Sequence, residues 1–244
     1  MSAKLALAVL SLSLAAAGAP AAQAGFTSLF NGKDLAGWKI PAGDNGHWKV
    51  VDGVIDYDAE SEATGEKSLF SEKEYGDFVL RLEWRLKATP YVNPNVPIIL
   101  STGLHKKDAD GKEIRLSVPD SDSGVYLRGS SKAQVNIWGW PVGSGEVYGY
   151  RTDEKMPPEV RQGVTPLRNA DKDVGEWNAF EITLKGDRLT VVLNGITVLD
   201  NAQLPGIPAK GPLALQHHGS KKDGVWNSPP SLVQFRNVSI KELR

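Results

Sequence analysis

The segment from Phe78 to Leu86 constrains the fold of this chain most, because its side chains alternate over nine positions. The apolar residues Phe78, Leu80, Leu82, Trp84 and Leu86 share one face, and Val79, Arg81, Glu83 and Arg85 share the other. A period of two residues predicts a β-strand that is buried on one face only. Similar short strand patterns recur along the chain between Gly, Pro, Asn and Asp clusters, and no long segment has a helical period. The sequence therefore predicts about a dozen short strands and little helix.

Two dipeptides predict tight hairpins between neighbouring strands. Asp52-Gly53 separates the strand patterns 48–51 and 54–57, and Asn194-Gly195 separates 189–193 and 196–199. Asn-Gly and Asp-Gly favour the type I′ turn that joins antiparallel strands. We therefore expect an all-β fold of two packed antiparallel sheets, a β-sandwich of the jelly-roll kind. The stretches 89–111 and 150–173 do not fit a strand, and we expect them to be loops that either shape a binding site or are tolerated insertions.

The start of the chain predicts export. Residues 1–24 combine a positive charge at Lys4, a short apolar run and the small-residue pattern Ala22-Gln23-Ala24, which together are typical of a cleavable signal peptide. Residues 25–244 then form one domain, and we expect it to be periplasmic or extracellular, with no attachment to the membrane after cleavage. A net charge of −1 gives no indication of a nucleic-acid partner.

Tryptophan is the unusual component of this sequence, which contains seven. Sugar rings present apolar C–H faces and polar edges, so their binding sites combine aromatic faces with a few placed polar groups. Some of the tryptophans of an exported β protein are expected in the core, and others on a carbohydrate. Composition thus favours a carbohydrate as the ligand.

An ordered series of short motifs resembles a known family. The series contains Leu29-Phe30-Asn31-Gly32-Lys33-Asp34, Trp48-Lys49-Val50-Val51-Asp52-Gly53, Tyr75-Gly76-Asp77-Phe78, Leu82-Glu83-Trp84-Arg85, Ser123-Gly124-Val125-Tyr126-Leu127-Arg128-Gly129, Gly175-Glu176-Trp177-Asn178, Leu193-Asn194-Gly195, Leu215-Gln216-His217-His218-Gly219 and Phe235-Arg236-Asn237-Val238. Its order and spacing are similar to those of the 3-keto-disaccharide hydrolase domain family, over essentially residues 26–243. The resemblance implies a concanavalin A-like jelly-roll sandwich. It also implies cleavage of glycosides whose ring carbon 3 was oxidised to a ketone by a partner sugar 3-dehydrogenase.

The resemblance has two departures at polar positions. The strand that contains Gln134 reads Gln134-Val135-Asn136-Ile137-Trp138-Gly139-Trp140, without the Asp that often follows it in the family. The second region reads Gln216-His217-His218-Gly219, so His217 stands where the family usually has the Asp of an Asp-His-Gly sequence. These departures indicate a subfamily with a different substrate.

The chemistry of a 3-keto glycoside defines which side chains to seek. A ketone at carbon 3 acidifies the proton on carbon 2, and the resulting enolate can expel the oxygen on carbon 1. This route, whether it ends as hydrolase or lyase, needs a base, a stabiliser of the enolate and an acid for the leaving group. The catalytic candidates are Glu83, His218 and Glu146. A divalent metal would also stabilise the enolate, with the same three residues as candidate ligands, and the cofactor is left open.

Six further residues are candidates for binding the sugar, since their side chains alternate with apolar neighbours or lie in a Gly-rich stretch. They are Arg128, Tyr126, Gln134, Trp138, Tyr148 and Gln216. Arg128 could instead form a structural ion pair, and Glu83 a surface salt bridge. His217 and His218 are adjacent, so a strand directs them to opposite faces, and His218 matches the family's histidine. We expect Glu83 and His218 to face one cavity.

Two other functions fit the same fold. One is a non-catalytic, lectin-like carbohydrate-binding module, because a fold does not define an activity. The other is an ordinary glycosidase with two carboxylates about 5 Å apart or more. The absence of a Glu-x-Asp-x-Glu array counts against the second, since Glu83 lies between arginines.

Overall fold

The computed structural model describes residues 24–244 of the chain. The predicted signal peptide lies outside these residues except for Ala24. In the described part, no helix is long and apolar enough to cross a membrane.

Two antiparallel sheets form the body of the protein. The larger contains β1 (Thr27–Ser28), β3 (Lys49–Val51), β4 (Val54–Tyr57), β6 (Phe78–Leu86), β11 (Asn178–Lys185), β12 (Arg188–Leu193), β13 (Ile196–Gln203) and β17 (Val233–Glu242). Its strand order is β13-β12-β11-β6-β17-β4-β3, and β1 also pairs with β17. The smaller contains β2 (Trp38–Lys39), β5 (Leu69–Tyr75), β9 (Asp122–Leu127), β10 (Ser130–Trp138) and β14 (Gly211–Leu215), in the order β10-β9-β14-β5-β2.

Smaller elements complete the structure. The hairpin of β7 (Tyr91–Pro97) and β8 (Arg115–Asp120) precedes β9 directly, and β15 (Lys221–Lys222) pairs with β16 (Val225–Trp226). The helices α1 (Tyr148–Arg151) and α2 (Pro158–Gly163) follow β10. Residues 89–111 were expected to contain no strand, and this expectation is wrong because β7 lies within them. The first strand pairs of this hairpin place Tyr91 opposite Asp120, with a register shift around Asn93 that accommodates Pro94.

The core lies between the two sheets, as the alternation of β6 predicts. Phe78, Leu80, Leu82, Trp84 and Leu86 are buried, and they share one hydrophobic cluster with Val125 and Leu127 of β9 and Val135 and Ile137 of β10. In each of these strands every second side chain faces this core, so the side chains between them lie on the outer face of the sheet. The predicted all-β, two-sheet antiparallel sandwich is confirmed.

Both predicted hairpin turns have the backbone that the dipeptides favour. Asp52 and Gly53 have φ of 50° and 77°, and Asn194 and Gly195 have φ of 54° and 80°. Positive φ at both central residues defines the type I′ turn, whose twist matches that of the strands it joins. The turn between β9 and β10 is built in the same way from Arg128 and Gly129, with φ of 50° and 72°.

Candidate active site

Polar side chains collect on the outer face of the five-stranded sheet. Because Val125 and Val135 face the core, Tyr126 and Asp122 of β9 and Gln134 of β10 face outward. The register places Gln134 opposite Tyr126, Asn136 opposite Gly124 and Trp138 opposite Asp122. Gln216, directly after β14, donates its backbone N–H to the Gly124 carbonyl at 2.9 Å and continues this arrangement on the other side of β9.

Asp122 and His218 form an acid–base pair on this face. The Asp122 Oδ2 atom lies 3.8 Å from His218 Nε2, with the side chains 21% and 35% exposed. Burial raises the pKa of Asp122 from 3.8 to about 7, against an opposing effect of His218. Its second oxygen, Oδ1, is buried and accepts no hydrogen bond from any residue between 24 and 244. Asp122 thus exchanges a proton near neutral pH, which suits a general acid or base.

Hydrogen bonds fix the tautomer of His218. Its Nδ1 lies 2.6 Å from the Pro229 carbonyl oxygen, which can only accept, so Nδ1 carries the proton. Its backbone N–H donates to the Ser231 hydroxyl at 2.6 Å. In the neutral ring Nε2 is therefore unprotonated and faces Asp122. This arrangement presents a free imidazole nitrogen as a base.

Amide side chains line the floor beside this pair. The Gln134 amide donates to Gln216 Oε1 and to the Ser123 carbonyl, the latter at 3.1 Å. It crosses over Gly124, where an added Cβ would lie 2.5 Å from the Gln134 Nε2 atom, so only glycine fits there. The Asn136 side chain is 3% exposed, and nothing in residues 24–244 hydrogen-bonds it. The Asn136 amide is thus available to a ligand.

Tyr126 borders the same floor. Burial raises the pKa of its phenol, against the opposing effect of Ser68 and Gln216 beside it. Its ring centroid lies 6.2 Å from that of Phe70 on β5. The structure therefore brings four predicted binding or catalytic residues to one face: Tyr126, Gln134, Gln216 and His218.

Glu146 lies at the edge of this face in a buried ion pair with Arg151, although its Oε2 has no hydrogen-bond partner within residues 24–244. The backbone of residues 145–146 hydrogen-bonds Asn136 like an added strand, and Gly145 faces Val198 in the core, so Glu146 points outward. It is 0% exposed, and its Oε1 accepts from the guanidinium of Arg151. Burial raises the pKa of Glu146 to about 7, against the opposing effect of Arg151. The carboxylate is thus held in a buried ion pair and has no exposed surface.

Trp138 and Tyr148 belong to an aromatic cluster next to the acid–base pair. The indole rings of Trp138 and Trp140 stack with centroids 4.1 Å apart, and the Tyr148 ring meets both edge-on. Trp140 Nε1 donates to Asp120 Oδ2 at 2.9 Å, and Asp120 also accepts from Asn93. Tyr148 is 45% exposed, whereas Trp138 is buried. Asp120 is therefore occupied by structural hydrogen bonds, in contrast to Asp122.

Glu83 lies on the opposite side of the molecule. Its side chain is on the outer face of the eight-stranded sheet, where Oε2 accepts from Arg236 Nε and Oε1 from Asn237, at 2.7 and 2.9 Å. His218 lies on the outer face of the other sheet, and the whole core separates the two. The expectation that Glu83 and His218 face one cavity is therefore wrong. Alternation along a strand assigns a residue to a face but not to a sheet.

Arg128 stabilises the fold. This is the structural ion pair that was the alternative to a role in sugar binding. Its buried guanidinium donates to the carbonyls of Gly76, Gly186 and Pro208 at 2.8 to 3.0 Å, and to Asp77 Oδ1 at 2.7 Å. These partners lie in turns at the end of β9 away from Asp122. The side chain is 2% exposed and has no surface for a sugar.

The two adjacent histidines point in opposite directions, as expected. His217 Nδ1 shares a hydrogen bond of 2.7 Å with the Tyr57 hydroxyl, inside the sandwich. Burial lowers the pKa of His217 to about 4, so the ring is neutral at pH 7. Where the family usually has an acid, this chain has a neutral, structural side chain.

The candidate metal ligands do not form one set. Glu83 is on the far sheet, Glu146 is paired with Arg151, and only His218 is accessible on the face described above. No group of three or more His, Asp or Glu side chains within residues 24–244 is placed to hold a metal ion.

Asp122 is the residue that the sequence analysis missed. The signal was present, since Asp122, Gly124 and Tyr126 alternate with the apolar Val125 and Leu127. Asp122 lies at the first position of its strand, between a hairpin and the predicted segment 124–128, so the pattern alone leaves its orientation open.

The fold and this site define a β-sandwich protein with an acid–base pair among amide and aromatic side chains. Such a set of side chains suits a polyhydroxylated ligand. The sequence profile of the 3-keto-alpha-glucoside-1,2-lyase-like domain matches residues 25–241, so the chain belongs to that family. This confirms the resemblance and supports a role on carbohydrate. A search of curated protein sequences found no significant match.

Solved structures share the fold. Two candidate glycosyl hydrolases from Parabacteroides distasonis are each 21% identical to this chain and cover 90% of it. Their TM-scores are 0.58 and 0.56, with 84% and 95% of the respective chains covered. At this identity the likeness supports the fold alone.

Proposed function

We propose that this protein cleaves glycosides whose carbon 3 is a ketone, by elimination across carbons 1 and 2. The observation that carries the proposal is the pair of Asp122 and His218, which offers an acid and a base 3.8 Å apart on an accessible face. The family to which the chain belongs is described by such a lyase activity. A carbohydrate substrate that was oxidised beforehand by a sugar 3-dehydrogenase follows from the same chemistry.

The proton transfers can be assigned to individual atoms. His218 Nε2, unprotonated in the fixed tautomer, takes the proton from carbon 2, and the C–H electrons form an enolate with the ketone. The enolate collapses to a carbon 1–carbon 2 double bond and expels the glycosidic oxygen. Asp122, protonated up to a pH of about 7, donates its proton to that oxygen.

The two transfers assist each other. When His218 gains a proton it becomes a cation beside Asp122, and a nearby positive charge favours the ionised carboxylate. Proton uptake at one partner thus promotes release at the other. The Asn136 amide, unpartnered in the described chain, is a donor for the ketone oxygen, whose charge grows in the enolate.

A paired-substrate assay on the mature protein tests this proposal. An ordinary and a 3-oxidised glucose disaccharide are offered side by side, in D₂O, with and without a chelator. We expect cleavage of the oxidised sugar alone, and loss of the carbon 2 proton detected by NMR. Chelator sensitivity would add a divalent metal to the proposal.

Variants connect the assay to the site. Asp122→Asn and His218→Gln are each expected to reduce kcat by about 10²–10⁴-fold, the usual contribution of a positioned acid or base. Glu181→Gln, on the outer face of the other sheet, is the matched control and should retain the rate. Equal cleavage of both sugars would contradict the elimination. Sugar binding without any cleavage would instead favour the lectin-like function.

A further inference from the structure

A short segment, residues 229–231, binds the backbone of the base His218. It reads Pro229-Pro230-Ser231 and leads from the β15–β16 hairpin back to β17. The Ser231 N–H donates to the His218 carbonyl at 2.9 Å, and the His218 N–H donates to Ser231 Oγ at 2.6 Å. Both backbone polar groups of His218 are therefore bound to a single residue.

The same segment binds the backbone of the acid. Ser231 Oγ donates to the Asp122 carbonyl at 2.6 Å, and the Asp122 N–H donates to the Pro230 carbonyl at 3.3 Å. The Gln216 carbonyl is farther from the same hydroxyl, at 3.2 Å. Because a hydroxyl has one proton and two lone pairs, Ser231 can donate to Asp122 while it accepts from His218. One hydroxyl thus joins the backbone of the acid to the backbone of the base.

The composition of this segment makes it stiff. Proline fixes φ at roughly −65° and has no N–H, so the two prolines offer only carbonyl acceptors. The Pro229 carbonyl accepts from His218 Nδ1, and the Pro230 carbonyl from the backbone of Asp122. At Gly219, directly after His218, an added Cβ would lie 2.8 Å from the Pro230 Cα atom. Glycine at this position therefore lets the stiff segment pack against the histidine.

Ser231 acts on the site without reaching a substrate. Its side chain is buried in the structure, with an exposed fraction of 0%. In the proposed elimination, Asp122 and His218 must each reach a different atom of one sugar, so their relative position matters. A misplacement of about 1 Å can cost about 10²-fold in rate. A contact that fixes both residues is therefore suited to control kcat.

We propose that Ser231 is a positioning residue, whose hydroxyl holds Asp122 and His218 in a fixed arrangement for the two proton transfers. The effect on rate rests on the proposed function. The arrangement itself can be measured in the resting protein, without any substrate.

The kinetic test is Ser231→Ala, which removes the hydroxyl from both contacts. We expect kcat on the 3-oxidised disaccharide to fall about 10- to 100-fold, as a misplaced acid–base pair predicts. KM should change by less than about 3-fold, because Ser231 touches no sugar. In a His218→Gln background the same substitution should reduce the remaining rate only slightly, since it acts through the histidine.

Ser71→Ala is the matched control for the loss of a buried hydroxyl. Ser71 lies in β5 of the same sheet, donates to the Lys73 carbonyl at 2.7 Å and accepts from the Leu213 N–H at 2.9 Å. It therefore loses the same two kinds of hydrogen bond at a distance from the acid–base pair. Both variants should lower the urea midpoint, and only Ser231→Ala should lower kcat.

A ¹⁵N NMR measurement of the His218 ring separates positioning from stability. Its signals are assigned by their absence in His218→Gln. The parent and Ser71→Ala should show the Nδ1–H tautomer, whereas Ser231→Ala should also populate the Nε2–H tautomer. Equal kcat in the two serine variants would overturn the proposal, and so would a tautomer that Ser231→Ala leaves unchanged. A parent that cleaves nothing, but whose tautomer responds to Ser231→Ala, would refute the cleavage and support the positioning.

Discussion

Asp122 combines an accessible carboxylate with a pKa near neutrality, and its protonation state should control the rate. If Asp122 protonates the leaving oxygen, kcat/KM falls as the pH rises through about 7, because the acid is lost. The measurement is a pH–rate profile on the 3-oxidised disaccharide. In Asp122→Asn the remaining rate should lose this alkaline limb. An unchanged limb in the variant would assign it to another group.

Because its pKa is raised, ionised Asp122 destabilises the folded protein at alkaline pH. Its carboxyl holds a proton more tightly in the folded protein than in the unfolded chain, where the pKa is near 3.8. Stability from this group is therefore lost as the pH rises from about 4 to about 7. We expect Asp122→Asn to be more stable than the parent by about 1–3 kcal/mol at pH 8, with no difference near pH 4. Urea unfolding at the two pH values measures it.

A variant of Glu83 tests whether the candidate site is confined to the five-stranded sheet. Its ion pair with Arg236 is partly exposed, at 29% for the carboxylate and 38% for the guanidinium. Such pairs contribute about 0–1 kcal/mol, so Glu83→Gln should change stability by no more than that. Its cleavage rate should equal that of the parent. A large loss of rate would return Glu83 to the catalytic residues.

At the scale of elements, Arg151 connects three parts of the structure. Beyond its pair with Glu146, its Nη1 donates to the His105 ring at 3.0 Å, and its carbonyl accepts from Arg161 Nε at 2.7 Å. His105 in turn donates from Nδ1 to Glu113 at 2.9 Å, since its Nε2 is the acceptor. The segment 98–114, between β7 and β8, is thereby fixed beside the added strand that carries Glu146.

Removal of the guanidinium should release this segment. Arg151→Met leaves Glu146 buried without its cation, which typically costs about 3–5 kcal/mol. We expect faster hydrogen exchange in residues 98–114 and a raised KM, with a smaller effect on kcat. Arg115→Met, which removes the more exposed partner of Glu113, is the control. Unchanged exchange in Arg151→Met would contradict the proposed link.

Periodicity predicts most strands well and fails where polar residues or prolines interrupt it. Residues 54–57 and 78–86 match β4 and β6 to the residue. β5 has no clear alternation, because Ser71, Glu72, Lys73 and Glu74 are consecutive polar residues. Pro94 and Pro97 disfavour a strand, yet β7 forms as one side of an isolated hairpin, where unpaired edges tolerate proline.

The site itself was only half predictable. The outward polar positions of β9 and β10 follow from alternation, which identifies Tyr126 and Gln134. Whether two such faces meet depends on strand order across the sandwich, and a single sequence carries no local signal for it. Glu83 and His218 both lie on the outer face of a sheet, but Glu83 lies on the larger sheet and His218 on the smaller.

At the scale of the whole molecule, Arg128 joins the turns of both sheets. The turn between β9 and β10 belongs to the smaller sheet, whereas Gly186 lies in the turn between β11 and β12 of the larger. Arg128→Met would remove the guanidinium that donates to the carbonyls of Gly76, Gly186 and Pro208, and would leave Asp77 Oδ1 with the Gly186 N–H as its remaining donor. We expect a loss of about 3–5 kcal/mol in urea unfolding, with an unchanged kcat for the protein that remains folded. Arg188→Met, at an exposed position, should have little effect.

The two ends of β9 have different roles. Asp122, in the candidate site, is its first residue, and Arg128, which joins the turns, directly follows its last residue. At about 3.3 Å per residue, roughly 20 Å separate them. Substitutions in the loops around Asp122 are therefore far from the contacts that hold the sheets together. Substitutions at the Asp122 end of β9 can therefore change the sugar preference, while the Arg128 contacts at the other end still stabilise the fold.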